Sequence, residues 1–168
     1  MFNAIPILKP VAPSITFTDR LVLHGTKRRA ELLTYGGGHT DSDSILYFPD
    51  DKVLFSADLV VIDNHPWMGA GQPEEWLTIL DRMAMLDFHT VVPRHDPAGR
   101  QGAEHLEPVR RYITEVLNAV QNLKDQGIDS AEAANLDHLE FTSGSEPAGF
   151  LGKNISALLS QTKAAQSV

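Results

Sequence analysis

Three consecutive glycines, Gly36-Gly37-Gly38, lead into His39 and Thr40, and an apolar run, Ile45-Leu46-Tyr47-Phe48, follows at once. The pattern recurs twice. Val53-Leu54-Phe55-Ser56 runs into Ala57-Asp58, and Thr90-Val91-Val92-Pro93 runs into Arg94-His95-Asp96. Each short strand thus delivers an imidazole or a carboxylate at its end. Strands of one sheet that present His, Asp and His at their tips suit a divalent metal such as zinc. The three candidates, His39, Asp58 and His95, lie 19 and 37 residues apart, so only folding brings them together.

The bulk properties narrow the classes. A chain of 168 residues suits one domain with a sizeable core. Cysteine is absent, which removes disulfides and thiolate ligands and fits a reducing compartment. A net charge of −8 opposes nucleic-acid binding, which needs clustered Lys and Arg. No apolar run approaches the roughly 20 residues of a membrane span. The N-terminus lacks the basic start and long apolar run of a secretory signal. The expectation is a cytoplasmic protein without nucleic-acid or membrane partners.

Residues 1–13 are proline-rich and read as an extended N-terminal segment of the single domain 1–168. Ile15–Phe17, Leu21–Leu23 and Ala30–Tyr35 read as strands. Pro49-Asp50-Asp51 is hairpin chemistry between Ile45–Phe48 and Val53–Ser56. Those two runs are apolar on both faces, which predicts cover on two sides. Pro73-Glu74-Glu75 opens a helix whose buried face is Trp76, Leu77, Leu80, Met83 and Ala84. His89–Pro93 is a strand. From about Glu104 a long helix carries Leu106, Val109, Ile113, Val116, Val120 and Leu123 in steps of three and four, and Gly127 ends it. Asp129-Ser130 caps a short helix to Leu136, residues 142–149 form a loop, and Phe150–Leu159 is a last helix.

Other chemistries fail on inspection. Asp41-Ser42-Asp43 looks like the start of a calcium loop, but the positions that need Gly and Glu hold Leu46 and Lys52. There is no Gly-x-Ser-x-Gly elbow and no phosphate-binding Gly-x-x-x-x-Gly-Lys loop. His39 reads either as a turn residue or as a ligand, and Asp58 as a loop cap or a ligand. His65 reads as a pocket or a structural residue.

Context decides. Gly-Gly-His-Thr before an apolar strand, then VLFSADLV, HPWMGAGQPEEW and VVPRHDP, closely resembles the metallo-β-lactamase superfamily over most of residues 14–126. The resemblance implies an α/β fold, one half of an αββα sandwich with a mixed sheet and helices on one face. It implies His39, Asp58 and His95 as metal ligands, with Asp58 bridging two ions. It places His65, Trp67 and Met68 in a substrate or pocket loop, and Thr40, Arg94 and Asp96 around the ligands. The implied cofactor is zinc, in one or two weakly held ions, with manganese or iron as substitutes. The implied chemistry is attack of metal-activated water on an ester, thioester, lactam or related bond.

Two departures qualify it. The family's His-x-His-x-Asp-His motif is missing, since no two histidines here are two apart. Arg94 and Asp96 stand where the family carries glycines, at positions where glycine tolerates backbone angles costly to other residues. The chain therefore matches the C-terminal half of the domain, and each metal position keeps two ligands. Two readings stand: a hydrolase completed by a missing N-terminal half or another chain, and a non-catalytic half-domain used for interaction or oligomerisation. An open sheet face containing Leu46, Phe48, Leu54 and Val92 predicts a homodimer or higher homo-oligomer.

Overall fold

The computed structural model describes residues 9, 11–62, 64–133 and 150–165. One five-stranded sheet runs in sequence order: β1 (Arg20–His24), β2 (Arg29–Gly36), β3 (Asp43–Phe48), β4 (Val53–Ala57) and β5 (Thr90–Pro93). β1 to β4 form an antiparallel meander, and β5 joins β4 in parallel after a helical crossover. The β3–β4 turn lies at Pro49–Lys52, with Lys52 in the left-handed region at φ 53°.

The crossover helix α1 (Pro73–Ala84) opens as its first turn dictates, with Pro73 at its start and Glu74 and Glu75 on the positive end of the dipole. A 3₁₀ turn at Gly102–His105 leads into α2 (Leu106–Asp125). All six stripe residues of α2 are buried, and Tyr112 joins them. Gly127 stops the helix at φ 75°, while Ile128 N–H returns to the Leu123 carbonyl. α3 (Ser130–Ala133) begins on a reciprocal cap, in which Asp129 Oδ1 accepts the Glu132 N–H and Glu132 Oε2 accepts the Asp129 N–H. The rest of the expected helix to Leu136, and the loop 142–149, lie outside the described residues. α4 runs from Phe150 to Ala165.

The core explains the layering. Leu33, Ile45, Tyr47, Leu54 and Val91 on one sheet face meet Trp76, Ile79, Leu80 and Met83 of α1 and the stripe of α2, and α4 adds Leu151, Ile155, Leu158 and Leu159. Tyr47 crosses the core edge to donate its hydroxyl to the Asp87 carbonyl at 2.8 Å. The result is a mixed sheet with helices on one face. Among the described residues no helix is long and apolar enough to cross a membrane.

Several expectations need correction. Ile15–Phe17 is not a strand; it pairs with no described strand, and Ile15 is largely exposed. β3 and β4 are covered on one face only, since burial alternates along both strands and Phe55 is 40% exposed. Leu54 belongs to the covered face with no exposure at all, because it pairs with Tyr47 and Val91 rather than with Leu46 and Val92. A one-residue shift along a strand reverses the face, so an apolar run on both sides hides this choice. On α1, Ala84 is exposed and Ile79 takes its place in the core.

Candidate functional site

The loop between β2 and β3 folds around one carboxylate. Asp43 Oδ2 accepts the backbone N–H groups of Gly38 and His39, both at 2.8 Å, and of Thr40 at 3.2 Å. Its other oxygen accepts the Thr40 hydroxyl at 2.7 Å. Donors to an ionised acceptor make strong bonds, so this nest sets the path of the loop. From outside, Gln72 N–H reaches the Gly38 carbonyl at 3.0 Å. Gly71 lies so close to that carbonyl that any side chain there would overlap it. Trp76 meets the His39 ring edge-on, with centroids 5.7 Å apart. His39 is thus held by its own loop and by the start of α1.

Asp58 follows a strained step. β4 ends at Ala57, whose φ of 50° lies in the left-handed region, where the register with β5 shifts. A non-glycine residue there costs about 1–2 kcal/mol, and such strain gathers at sites that need a particular direction. Two contacts tie the exits of β4 and β5 together. Arg94 N–H donates to the Ala57 carbonyl at 3.1 Å, and Ile62 N–H donates to Asp96 Oδ2 at 2.8 Å.

The three candidates converge on Asp58. His95 Nε2 lies 3.3 Å from Asp58 Oδ1, and His39 Nε2 lies 3.9 Å from Asp58 Oδ2. The Asp58 carboxylate is mostly buried at 15% exposure, whereas the His95 side chain is 60% exposed. Arg94 Nη1 donates to Asp58 Oδ2 at 2.8 Å, the same oxygen that faces His39. A guanidinium therefore already sits on the carboxylate.

The surrounding residues fall into three groups. Thr40 serves the Asp43 nest. Arg94 pairs with Asp58 and Asp96 with the Ile62 backbone, so the two do not pair with each other. Neither has a positive φ, so the expected cost of replacing glycine there does not arise. In the long loop, His65 packs against the Tyr112 ring at 4.9 Å, Trp67 is at the surface and Met68 is fully buried.

Two organising residues were not singled out from the sequence. In the sequence Asp43 stands out only as part of the Asp41-Ser42-Asp43 pattern, which fails as a calcium loop. Asn154 on α4 is fully buried, 86 residues from the loop it holds. Its Oδ1 accepts the Met68 N–H at 2.9 Å, and its Nδ2 donates to the Pro66 carbonyl at 2.8 Å and lies 3.1 Å from the Tyr112 hydroxyl. No local pattern marks such a residue. Asn154→Ala is expected to cost about 2 kcal/mol, because it strands buried backbone groups without partners. Urea unfolding measures it, and limited proteolysis should cut first within residues 64–71. An unchanged midpoint would show that water replaces the amide.

Zinc in a catalytic site takes three protein ligands. Here His39 and Asp58 form one pair and Asp58 and His95 another. Among the described residues no group of three His, Cys, Asp or Glu side chains is disposed to hold a metal ion. His39 Nδ1 is buried without a hydrogen-bond partner among the described residues, so the outer contact that orients a metal-binding imidazole is missing. The donors are right in kind and too few. By themselves they do not fit a zinc, manganese or iron ion.

Residues 4–95 match the sequence model of the metallo-beta-lactamase superfamily. Among solved structures, the chain is similar to a metallo-beta-lactamase from Pontibacter korlensis at 25% identity and a TM-score of 0.55, over 62% of this chain and 50% of that one. A metallo-beta-lactamase family protein from Thermus thermophilus matches at 19% identity and a TM-score of 0.69, over 95% of this chain and 52% of that one. A stereoselective inverting sec-alkylsulfatase from a Pseudomonas species matches at 18% identity and a TM-score of 0.70, over 90% of this chain and 27% of that one. The chain thus spans about half the length of the first and second of these structures and about a quarter of the third.

Proposed function

The chain belongs to the metallo-beta-lactamase superfamily, and we propose that it carries one half of a metal-dependent hydrolytic centre, whose remaining ligands come from a second half-domain. The observation that carries this reading is the approach of His39 and His95 to different oxygens of one half-buried carboxylate, Asp58. The bond class that goes with the reading is an ester, thioester, lactam or related bond. Asp58 is the shared anchor, set by the Ala57 step. His39 is the rigid member, clamped by the Asp43 nest and Trp76. His95 is the exposed member, free to meet an incoming group. Arg94 holds the charge of Asp58 in the chain as it stands.

The alternative is a half-domain without catalysis, used as an interaction module. The Arg94–Asp58 ion pair favours it, since a cation already occupies the carboxylate that a metal would need.

One experiment separates the two. Zinc is titrated calorimetrically into the wild-type chain and into a His39→Ala, Asp58→Ala double variant, and ester and lactam reporters are assayed beside it. The half-centre reading expects weak binding that the double variant abolishes, and no turnover by the chain alone. Equal heats from both proteins would refute these ligands and favour the interaction module. Robust turnover lost in Asp58→Ala would show that the chain is a complete enzyme.

A further inference from the structure

Arg94 is tied at both ends and still offers an open edge. Its backbone N–H donates to the Ala57 carbonyl at 3.1 Å, and its Nη1 donates to Asp58 Oδ2 at 2.8 Å. Among the described residues its Nε and Nη2 have no partner. Those two nitrogens carry the parallel N–H pair that matches two oxygens of a carboxylate or another oxyanion. Other ion-paired arginines of the chain do not leave that edge open. Arg20 spends both Nε and Nη2 on Glu31, while Arg28, Arg29 and Arg110 turn Nε to Asp51, Glu31 and Glu107.

We propose that Arg94 binds an oxyanion, a carboxylate or a sulfate-type group, on its free Nε–Nη2 edge, with Asp58 as the residue that positions it. The carboxylate that a metal would need holds a cation of the chain's own. The rim of the site is thereby turned from receiving a cation to receiving an anion.

Preorganisation is the first argument. A ligand that fixes a free arginine must offset the loss of side-chain freedom, and here Asp58 and Ala57 have fixed both ends beforehand. Charge is the second argument. Asp58 is 15% exposed, carries Arg94 on Oδ2, and has His95 Nε2 at 3.3 Å from Oδ1. Asp96 is turned to the Ile62 N–H at 2.8 Å. Both neighbouring carboxylates are thus engaged. Arg94 is 65% exposed, so its open edge reaches solvent, and the exposed imidazole of His95 sits on the other oxygen of the same carboxylate. The net charge of −8 repels anions from most of the surface, so saturable anion binding reports a local site.

The use of this edge rests on the half-centre reading, in which the held oxyanion belongs to the substrate. Substrates with an acidic group beside the bond to be cleaved are the class it selects. Binding itself needs no metal and is tested without one.

Acetate and sulfate are titrated into the metal-free, isotope-labelled chain at constant ionic strength, with chloride as the control, and proton–nitrogen spectra follow the Arg94 Nε–H. A saturable shift with acetate or sulfate, absent with chloride, is expected, and the tighter of the two names the oxyanion. Arg94→Gln should abolish the saturable response of the His95 backbone N–H. Arg94→Lys, which keeps the charge and loses the fork, should weaken binding at least about fivefold. Arg100→Gln alters another exposed arginine of the same loop and should change nothing. If Arg94→Gln fails to fold, Arg94→Lys carries the comparison. A shift that chloride reproduces would overturn the proposal, as would a response that survives in Arg94→Gln, full affinity in Arg94→Lys, or loss in Arg100→Gln. Failure here with the zinc titration intact strikes the anion site alone, and the reverse result strikes the half-centre alone.

Discussion

Trp76→Ala is expected to lower the unfolding free energy by about 4 kcal/mol, the middle of the range for removing a buried aromatic side chain. Trp76 has no exposure and belongs to the hydrophobic core. Its Nε1–H donates to the Leu59 carbonyl at 3.0 Å, immediately after Asp58. Its ring also lies against Gly38 and His39, where even the Cβ of an alanine at position 38 would come within 3.0 Å of it. The substitution therefore opens a cavity, strands a carbonyl and unpacks the loops that carry His39 and Asp58. With an m-value of about 2 kcal/mol per molar urea for a small domain, the midpoint should fall by about 2 M at fixed protein concentration. Trp76→Phe keeps most of the volume and loses the N–H, so a smaller loss, about 1–2 kcal/mol, is expected from the hydrogen bond. A fall of less than about 1.5 kcal/mol in the alanine variant would mean that α1 collapses into the space, which would weaken the claim that Trp76 couples the fold to the site.

Much of this fold was legible in the sequence because it follows from local periodicity. The six stripe residues of α2 step by three and four, and every one is buried. The proline-led start of α1, the β3–β4 turn and the Gly127 stop are local chemistry, and each lies where the residues placed it. The strand-end positions of His39, Asp58 and His95 were legible for the same reason. What was not legible depends on long-range choice. Leu54 and Phe55 are both large and apolar, and only the register with Tyr47 and Val91 decides which one faces the helices. Asn154 meets Met68 across 86 residues, and Asp96 meets Ile62 across 34. No spacing rule anticipates those contacts. Asp43 is intermediate, since Asp favours bonds to nearby backbone N–H groups, and a glycine-rich loop just before it offers such donors.

Arg94 is where the family pattern and this chain part most sharply, and Arg94→Gly is expected to raise zinc affinity about a hundred-fold, or about 2.7 kcal/mol. The guanidinium donates to Asp58 Oδ2 at 2.8 Å, on the oxygen that faces His39. A divalent ion at that carboxylate would meet the Arg94 charge at close range. Charges of +1 and +2 about 6 Å apart repel by roughly 5 kcal/mol at an effective dielectric of 20. Arg94 is 65% exposed and can swing into solvent, so screening removes about half of that. Removing Arg94 also frees the Asp58 oxygen, and it disturbs little else, because Asp96 holds the neighbouring loop through Ile62. Arg94 is not in the left-handed region, so the gain should not depend on glycine's backbone freedom. Arg94→Gln tests this directly and should recover most of the effect, whereas Arg94→Lys should recover little. Competition against a chromophoric zinc chelator at fixed pH and salt measures all three. If neither the glycine nor the glutamine variant gains affinity, the number of ligands and not the resident cation limits metal binding in this chain.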